Sequence, residues 1–432
     1  MLARSFENLH MAASSLSKPA LSQLSLALLL GALAMFGPFA IDSIFPAFGQ
    51  IEREFAVSAA AMQQTIAVYM LAYGTASVLH GPMSDAYGRR VVLLVGIAVF
   101  VLASVGCALS SSLPQLLFFR AAQGVSSGVG IIVGRAIVRD LREGPDAQRL
   151  MSQISMIFTI APAVAPIIGG WILGWADWPM IFWFLVVFSA LLWLVVALIL
   201  PESHPIDARV PVSLRSLWRG STGMLRNRSF LLLSLTATFN FSALFLYISS
   251  APAFVMGLLH MNEQQFGWFF APTIGGMAMG AFLSGRTAGK VAPQRMVRIG
   301  FSVCLLATVS SLVYALSVDA VVYPWAVLPL MFNSMGIAIV FPIVTLAVID
   351  LYPRQRGAAS SMQTFISLMI NAGIAGVLSP LVSHSAVWMA LAAVGCCAIA
   401  ITFWVLFNRH GHAPLHNPAA AEVAGLEPLD RL

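Results

Sequence analysis

The chain has 432 residues, of which 59% are apolar and only 9% charged, with a formal net charge of +6. Water-soluble domains carry roughly 25% charged residues, so this composition excludes a soluble globular protein and points to a chain solvated by lipid.

A helix needs roughly 20 apolar residues to cross a bilayer, and the length divides into about twelve such crossings. In chain order the apolar stretches fall at 24–47, 62–80, 91–110, 115–138, 151–174, 179–200, 229–252, 266–285, 297–317, 323–349, 357–382 and 386–408. None alternates with a period of two, so they read as helices and not as the strands of a barrel. The expected fold is an all-α integral membrane protein of twelve transmembrane helices. The first stretch is too long for a signal-peptide core and is expected to stay as the first helix.

Lys and Arg are retained on the cytoplasmic side of short loops. Of the 23 such residues, this division leaves only Arg53 on the far side. Arg89, Arg90, Arg139, Arg142, Arg149, the five arginines from Arg209 to Arg228, and Arg286, Lys290, Arg295, Arg298, Arg354 and Arg356 all fall in alternate, inward loops. Glu52, Glu54, Asp177, Glu263 and Asp319 fall outside. Both termini are therefore expected to face the cytoplasm, and the basic balance reports topology without implying a nucleic-acid partner.

The interior loop at 201–228 is the longest, is rich in Pro, Ser and Arg, and has six expected spans on either side. The chain thus divides into an N-terminal segment (1–23), a six-helix bundle (24–200), a linker (201–228), a second six-helix bundle (229–408) and a cytoplasmic tail (409–432). A basic turn after the second helix of each half, at 81–90 and 284–290, suits two pseudo-symmetric repeats rocking around a midplane site.

A charge inside a span costs about 2.5–3.5 kcal/mol, which makes it a functional candidate by default. Two sit well inside: Asp42 in the first span and Arg120 in the fourth. Both come out in the outer half by counting 1.5 Å per residue, so they are expected to pair across the central cavity. A desolvated carboxylate beside a cation can exchange a proton near neutral pH; the alternative is an ion pair that merely locks two helices. Arg135 counts out near the inner surface and reads as snorkelling to it.

Gln64, Tyr69, Gln123, Asn240, Tyr247, Asn333, Gln363 and Asn371 are polar residues within spans and candidates for the cavity wall. Gln64, Tyr69 and Tyr247 rank first. The abundant Phe and Met suit an adaptable apolar pocket as well as lipid-facing packing.

Cys107, Cys304, Cys396 and Cys397 lie in spans without metal-ligand spacing and read as packing residues. His410, His412 and His416 read as a solvated tail. No metal site is expected. A phosphate loop is absent, because Gly289-Lys290 is preceded by Ser284 where the first glycine belongs and followed by Val291. No HExxH, GxSxG or paired carboxylates occur in the spans, so neither an ATP-driven pump nor a membrane enzyme is expected. Rings of like charge, as a passive channel would use, are missing too.

Four motifs narrow the reading. Gly81-Pro-Met-Ser-Asp85-Ala-Tyr-Gly88-Arg89-Arg90 resembles the loop G-x-x-x-D-x-x-G-R-[RK] of the major facilitator superfamily. There the glycines permit a tight turn and the Asp can face a neighbouring helix N-terminus; the resemblance implies a gate-stabilising role. Arg120-Ala-Ala-Gln123-Gly124 resembles the R-x-x-Q-G of proton-driven members. Pro162, Pro166, Gly169 and Gly170 are similar to the antiporter motif G-P-x-x-G-G, with Ala165 where Gly is usual. Ile41-Asp42-Ser-Ile44-Phe45-Pro46-Ala47 resembles the D-x-Y-L-P-A of the Bcr/CflA branch of drug-resistance transporters, with Ile44 in place of Tyr. Arg139-Asp140-Leu141, Gln64-Thr65 with Tyr69, and Tyr247 to Pro252 also look like that branch.

This resemblance implies a proton-coupled antiporter that exports small, largely apolar or amphipathic compounds such as antibiotics. It would use Asp42 and Arg120 for coupling, the proton gradient as its energy source, and no cofactor. It further implies a monomer in a bacterial inner membrane. A second acid two turns earlier in the first helix, found in some relatives, is missing near Ala34. Export or import of a metabolite, such as an amino-acid derivative, fits the same motifs, because they report coupling rather than cargo.

Overall fold

Ser22 opens the first helix by accepting a hydrogen bond from the Ser25 amide at 3.1 Å, which satisfies one of the orphan donors of a helix start. The computed structural model describes residues 22–142, 144–209, 221–287, 290–352 and 356–409. The N-terminal segment as far as residue 21, the middle of the linker, Gly289, Arg354 and the histidines of the tail lie outside the described residues.

Among the described residues twelve long helices follow one another: α1 (Gln23–Asp42), α2 (Ala59–Tyr87), α3 (Arg89–Ala108), α4 (Leu113–Leu141), α5 (Gly144–Leu173), α6 (Pro179–Ile199), α7 (Arg228–Ser249), α8 (Phe266–Thr287), α9 (Pro293–Ser317), α10 (Leu328–Asp350), α11 (Arg356–Gly373) and α12 (Ala386–Arg409). Ten helical stretches among the described residues are long and apolar enough to cross a membrane. α2 and α5 are not among them: Gln63, Gln64, Thr65, Tyr69, Tyr73 and His80 dilute the apolar run of α2, and α5 enters only through its shorter apolar stretch Val164–Leu173. The chain is a multi-pass, all-α membrane protein.

Several helices depart from regularity at proline. Pro38 stands inside α1. Pro46 lacks the amide that would close another turn, so α1 stops at Asp42 and gives way to a 3-10 turn at Phe45–Ala47 and a short helix at Phe48–Phe55. α7 is followed by a π-helical turn at Ala253–Leu258, and α11 continues through another at Ile374–Leu378 to Ser379–Val382.

Close packing depends on small residues. A Cβ on Gly130 of α4 would overlap the Leu33 carbonyl of α1, and one on Gly124 would overlap the Tyr69 carbonyl of α2. Helices approach this closely only where no side chain intervenes. α1 to α6 contact one another, as do α7 to α12, and the principal contacts between the two sets are α2 with α11 and α5 with α8.

The loops sort onto two faces. Gln50 donates to Asp177 at 3.1 Å and accepts from the Trp178 amide at 2.8 Å, which puts the loop after α1 beside the loop after α5. This is the face away from the termini. There a single apolar core runs through both helix sets, from Phe45 and Phe48 to Phe254, Phe266 and Phe270. Toward the termini, the second set keeps a core of its own, built on Phe230, Val297, Val344, Val348, Met362 and Trp404. The two sets are thus fused at the far face and separately packed at the other.

Candidate functional site

Arg120 is fully buried and Asp42 is 5% exposed. The stop of α1 explains how the arginine is held. The last carbonyls of a helix have no partner within it, and that of Ala40 accepts from Arg120 Nη1 at 2.9 Å. The same nitrogen donates to Gln123 Oε1 at 2.9 Å, and Nε reaches the Thr65 carbonyl at 3.4 Å. Gln123 in turn donates to Ser104 Oγ at 2.8 Å. The guanidinium carbon stands 4.4 Å over the ring of Tyr69, an attraction that strengthens when water is excluded.

The expected ion pair with Asp42 is not formed. Arg120 spends its donors on the Ala40 carbonyl at the end of α1, the Thr65 carbonyl within α2 and the Gln123 amide oxygen, and its Nη2 has no partner among the described residues. Asp42 lies within its electrostatic reach without touching it. The Asp42 carboxylate takes no hydrogen bond from the described residues, and neighbouring Ser43 Oγ is likewise unpartnered.

Tyr69 is buried beneath this arrangement, with its hydroxyl 2.8 Å from the Gly37 carbonyl and 2.5 Å from Ser127 Oγ. Tyr69 and Gln123 therefore serve as the support of Arg120. Gln64 bridges the two sets, donating to the Gly376 carbonyl in the π-helical turn after α11 at 2.8 Å. Tyr247 and Asn240 turn toward α9: the Tyr247 hydroxyl is 3.3 Å from Ser311 Oγ, and Asn240 Oδ1 accepts from Cys304 Sγ at 3.6 Å. Asn333 is buried beside Cys304, and Asn371 donates to the Ser367 carbonyl at 2.9 Å while its Oδ1 accepts from Ser242 at 2.8 Å. Gln363 donates to Thr345 at 3.2 Å. The four cysteines are free and buried.

The glycine pair of α5 sits against the same bend. A Cβ on Gly169 would overlap the Ser43 carbonyl, and one on Gly170 would overlap the Glu263 carbonyl of the other helix set. Pro162 and Pro166 lie within the same helix. Gly169 thus seats α5 on the residue after Asp42, and Gly170 seats it on the opposite set. Phe45 stacks on Phe270 across the same junction, with ring centroids 6.4 Å apart.

On the termini side, Gly88 has φ +99°, a value that favours glycine, and it turns the chain sharply from α2 into α3. Arg89 pairs with Asp85 and, through Nε, with Asp140 at 3.0 Å, while Nη1 donates to Ser84 Oγ at 2.6 Å. Ser84 donates to the Gly81 carbonyl at 2.8 Å. Arg90 donates to the Ala197 carbonyl. The acid at the N-terminus of α3 is Glu202, not Asp85: its carboxylate accepts from the amides of Arg89 at 2.9 Å and Arg90 at 3.2 Å. Anions are favoured at such ends. Nothing in the sequence around Glu202 marks this role, apart from its position just after α6.

Arg135 does not snorkel to the helix end. Its side chain is exposed, yet its Nη1 stands 3.5 Å from Ser360 Oγ on α11, across the junction between the sets.

Comparison with known proteins agrees with this architecture. The family profile of the Major Facilitator Superfamily matches residues 27–370. The chain is 31% identical to the uncharacterized MFS-type transporter YdgK of Bacillus subtilis, over 83% of this chain and 89% of that one. It is 26% identical to a bicyclomycin resistance protein homolog of Haemophilus influenzae, over 89% and 96%. Among solved structures, a bacterial homolog of the human lysosomal transporter Spinster, in an inward-facing and unoccupied conformation, superposes with a TM-score of 0.69 at 17% identity, over 91% of this chain and 98% of that one.

Proposed function

The chain belongs to the Major Facilitator Superfamily, and from that premise we propose that it is a Bcr/CflA-type drug-resistance transporter that exports small apolar or amphipathic compounds, such as antibiotics, in exchange for protons. It is a transporter of small molecules across a membrane and not an enzyme.

The observation that carries the reading is a carboxylate, Asp42, without a partner among the described residues, buried at the bend of α1 while Arg120 grips the carbonyl two residues before it. A buried carboxylate without a partner favours the neutral, protonated form, and a nearby cation favours ionisation. Such a group changes charge when its surroundings change. In our reading Asp42 takes up a proton when the far face opens, cargo entering from the termini side favours its release, and Arg120 tunes the exchange. Gly169 on the Ser43 backbone and Gly170 on the opposite set give the bend a direct mechanical link to the junction, so the charge of Asp42 and the closure of the far face are coupled.

The two helix sets, 24–200 and 229–408, are the rocking bodies of an alternating-access cycle. Gln64 belongs to their junction, and Gly81, Asp85, Gly88, Arg89 and Arg90 to the gate of the first set. The inward-loop arginines put both termini in the cytoplasm, and the branch implies a bacterial inner membrane, a monomer, and the proton gradient in place of a cofactor.

The test is proton release from purified, reconstituted protein on adding a panel of antibiotics and dyes, run beside Asp42→Asn. Release from wild type and not from the variant supports antiport through Asp42. Release from neither, with no compound bound, overturns drug export and leaves metabolite transport as the reading to pursue.

A further inference from the structure

The inward half of the junction holds a cation that the coupling mechanism does not use. Arg135 lies six residues before the end of α4 at Leu141, so it stands about 9 Å inside that end. An arginine anchored at a membrane surface turns its tip back toward the surface; this one reaches across to Ser360 of the other helix set, at 3.5 Å. Tyr73 of α2 is within its electrostatic reach, and among the described residues the Tyr73 hydroxyl takes no hydrogen bond. Arg139, one turn further along α4 on the same side, adds a second positive charge.

Among the described residues, no carboxylate stands within ion-pair distance of either Arg135 or Arg139. Asp140, the nearest acid along the helix, is occupied by Arg89 at 3.0 Å and Ser203 at 2.9 Å. Asp42 stands near the opposite end of the bundle, roughly 20 Å deeper by helix rise. Keeping an unpaired guanidinium within a helix bundle is costly, and the separate packing of the two sets at this face leaves it open to whatever enters from the termini side. The described groups that interact with it are Arg139, Tyr73 and Ser360, all able to donate hydrogen bonds and none of them anionic.

We propose that Arg135, with Ser360 and Tyr73, forms the entry subsite for the acidic group of the cargo, so that the exported compounds include amphipathic organic anions bearing a carboxylate. The fork of the guanidinium donates two parallel hydrogen bonds to a carboxylate. Because the contact spans both helix sets, an anion seated there touches both moving bodies at once. This assignment rests on the export reading and specifies the charge of its cargo.

The experiment uses the full-length protein in detergent and in proteoliposomes, with two dyes of one xanthene skeleton: fluorescein, an anion carrying a carboxylate, and rhodamine 123, a cation whose acid is esterified. Fluorescence anisotropy gives each affinity for wild type, Arg135→Gln and Arg135→Lys. We expect wild type to bind fluorescein, Arg135→Gln to bind it about tenfold to a hundredfold more weakly, as loss of a charged hydrogen bond gives, and rhodamine 123 binding to be unchanged or tighter. Arg135→Lys keeps the charge without the fork and should lose only a few-fold. If Arg135→Gln fails to fold, Arg135→Lys against the two dyes carries the comparison.

No fluorescein binding to wild type, or an equal loss of both dyes in the variants, overturns the assignment. Proton-driven efflux of rhodamine 123 from the same vesicles separates the two ideas: efflux without fluorescein binding sinks the anion subsite alone, whereas no efflux of any compound sinks the export reading.

Discussion

Arg120 donates to the carbonyl of Ala40 at 2.9 Å, and so it grips the backbone of the segment that carries Asp42 and leaves the carboxylate itself untouched. A direct ion pair would hold both charges fixed and resist a change of protonation. Contact through the backbone holds the bend in place and, on the proposed mechanism, leaves the acid free to gain or lose a proton.

Asp42→Asn removes the titrating group with little change in size. We expect folded protein in the membrane, cargo binding that no longer varies with pH, and pH-gradient-driven efflux reduced to background. Efflux from everted vesicles, measured across external pH, checks this; a wild-type pH profile in the variant would remove Asp42 from the mechanism.

Arg120→Lys keeps a charge but cannot reach Ala40, Thr65 and Gln123 together, since a single ammonium replaces a planar fork. We expect transport to fall at least tenfold and the thermal midpoint in detergent to drop. Arg120→Ala leaves buried carbonyls without donors, at about 1–3 kcal/mol each, and should lower the midpoint further.

Tyr69→Phe separates two functions of one side chain. The ring stays beneath Arg120, and only the hydroxyl contacts with Gly37 and Ser127 are lost. The expected cost is about 1 kcal/mol of stability with transport retained, whereas Tyr69→Leu, which removes the ring, should impair both.

Much of this architecture is legible in the sequence because it depends on local properties. Apolar length marks the helices, although the expected first stretch, 24–47, runs straight through the break that Pro46 imposes after Asp42. The G-R pair at 88–89 marks a turn that only glycine makes easily. The partnerships of Glu202 with the start of α3, of Gln64 with Gly376 and of Arg135 with Ser360 join residues more than 110 positions apart. They depend on how each helix is rotated about its axis. Counting residues gives the depth of Arg135 but not the direction in which it points, which is why the sequence suggests a surface anchor and the structure shows a bridge. The same limit separates Tyr247 and Asn240, which face α9, from a cavity wall that their polarity alone would suit.

Gly170→Ala adds a methyl where the Glu263 carbonyl already stands. The two helix sets must part locally at the far face, so we expect the resting population to shift toward far-face opening. Labelling of a single cysteine introduced at Ser43, by a membrane-impermeant maleimide from the outside, should rise several-fold over the same cysteine in the Gly170 background.

Glu202→Gln removes the anion at the start of α3 while preserving its shape. Its two amide contacts and its interaction with the helix end are together worth about 1 kcal/mol, with the part exposed to water screened by salt. The thermal midpoint should fall by a few degrees at low ionic strength and by less in high salt; no difference between the two salts would assign Glu202 a purely steric part.

The fusion of the two helix sets at the far face has a pharmacological corollary. In this conformation the acid at Asp42 is closed off from the far face by Phe45 on Phe270 and by the α5 glycines. On the proposed topology, with the termini in the cytoplasm, an inhibitor aimed at this form must first cross the bilayer or partition into its inner leaflet. Membrane permeability, before affinity, would then be the first property to select for in a compound meant to block this protein.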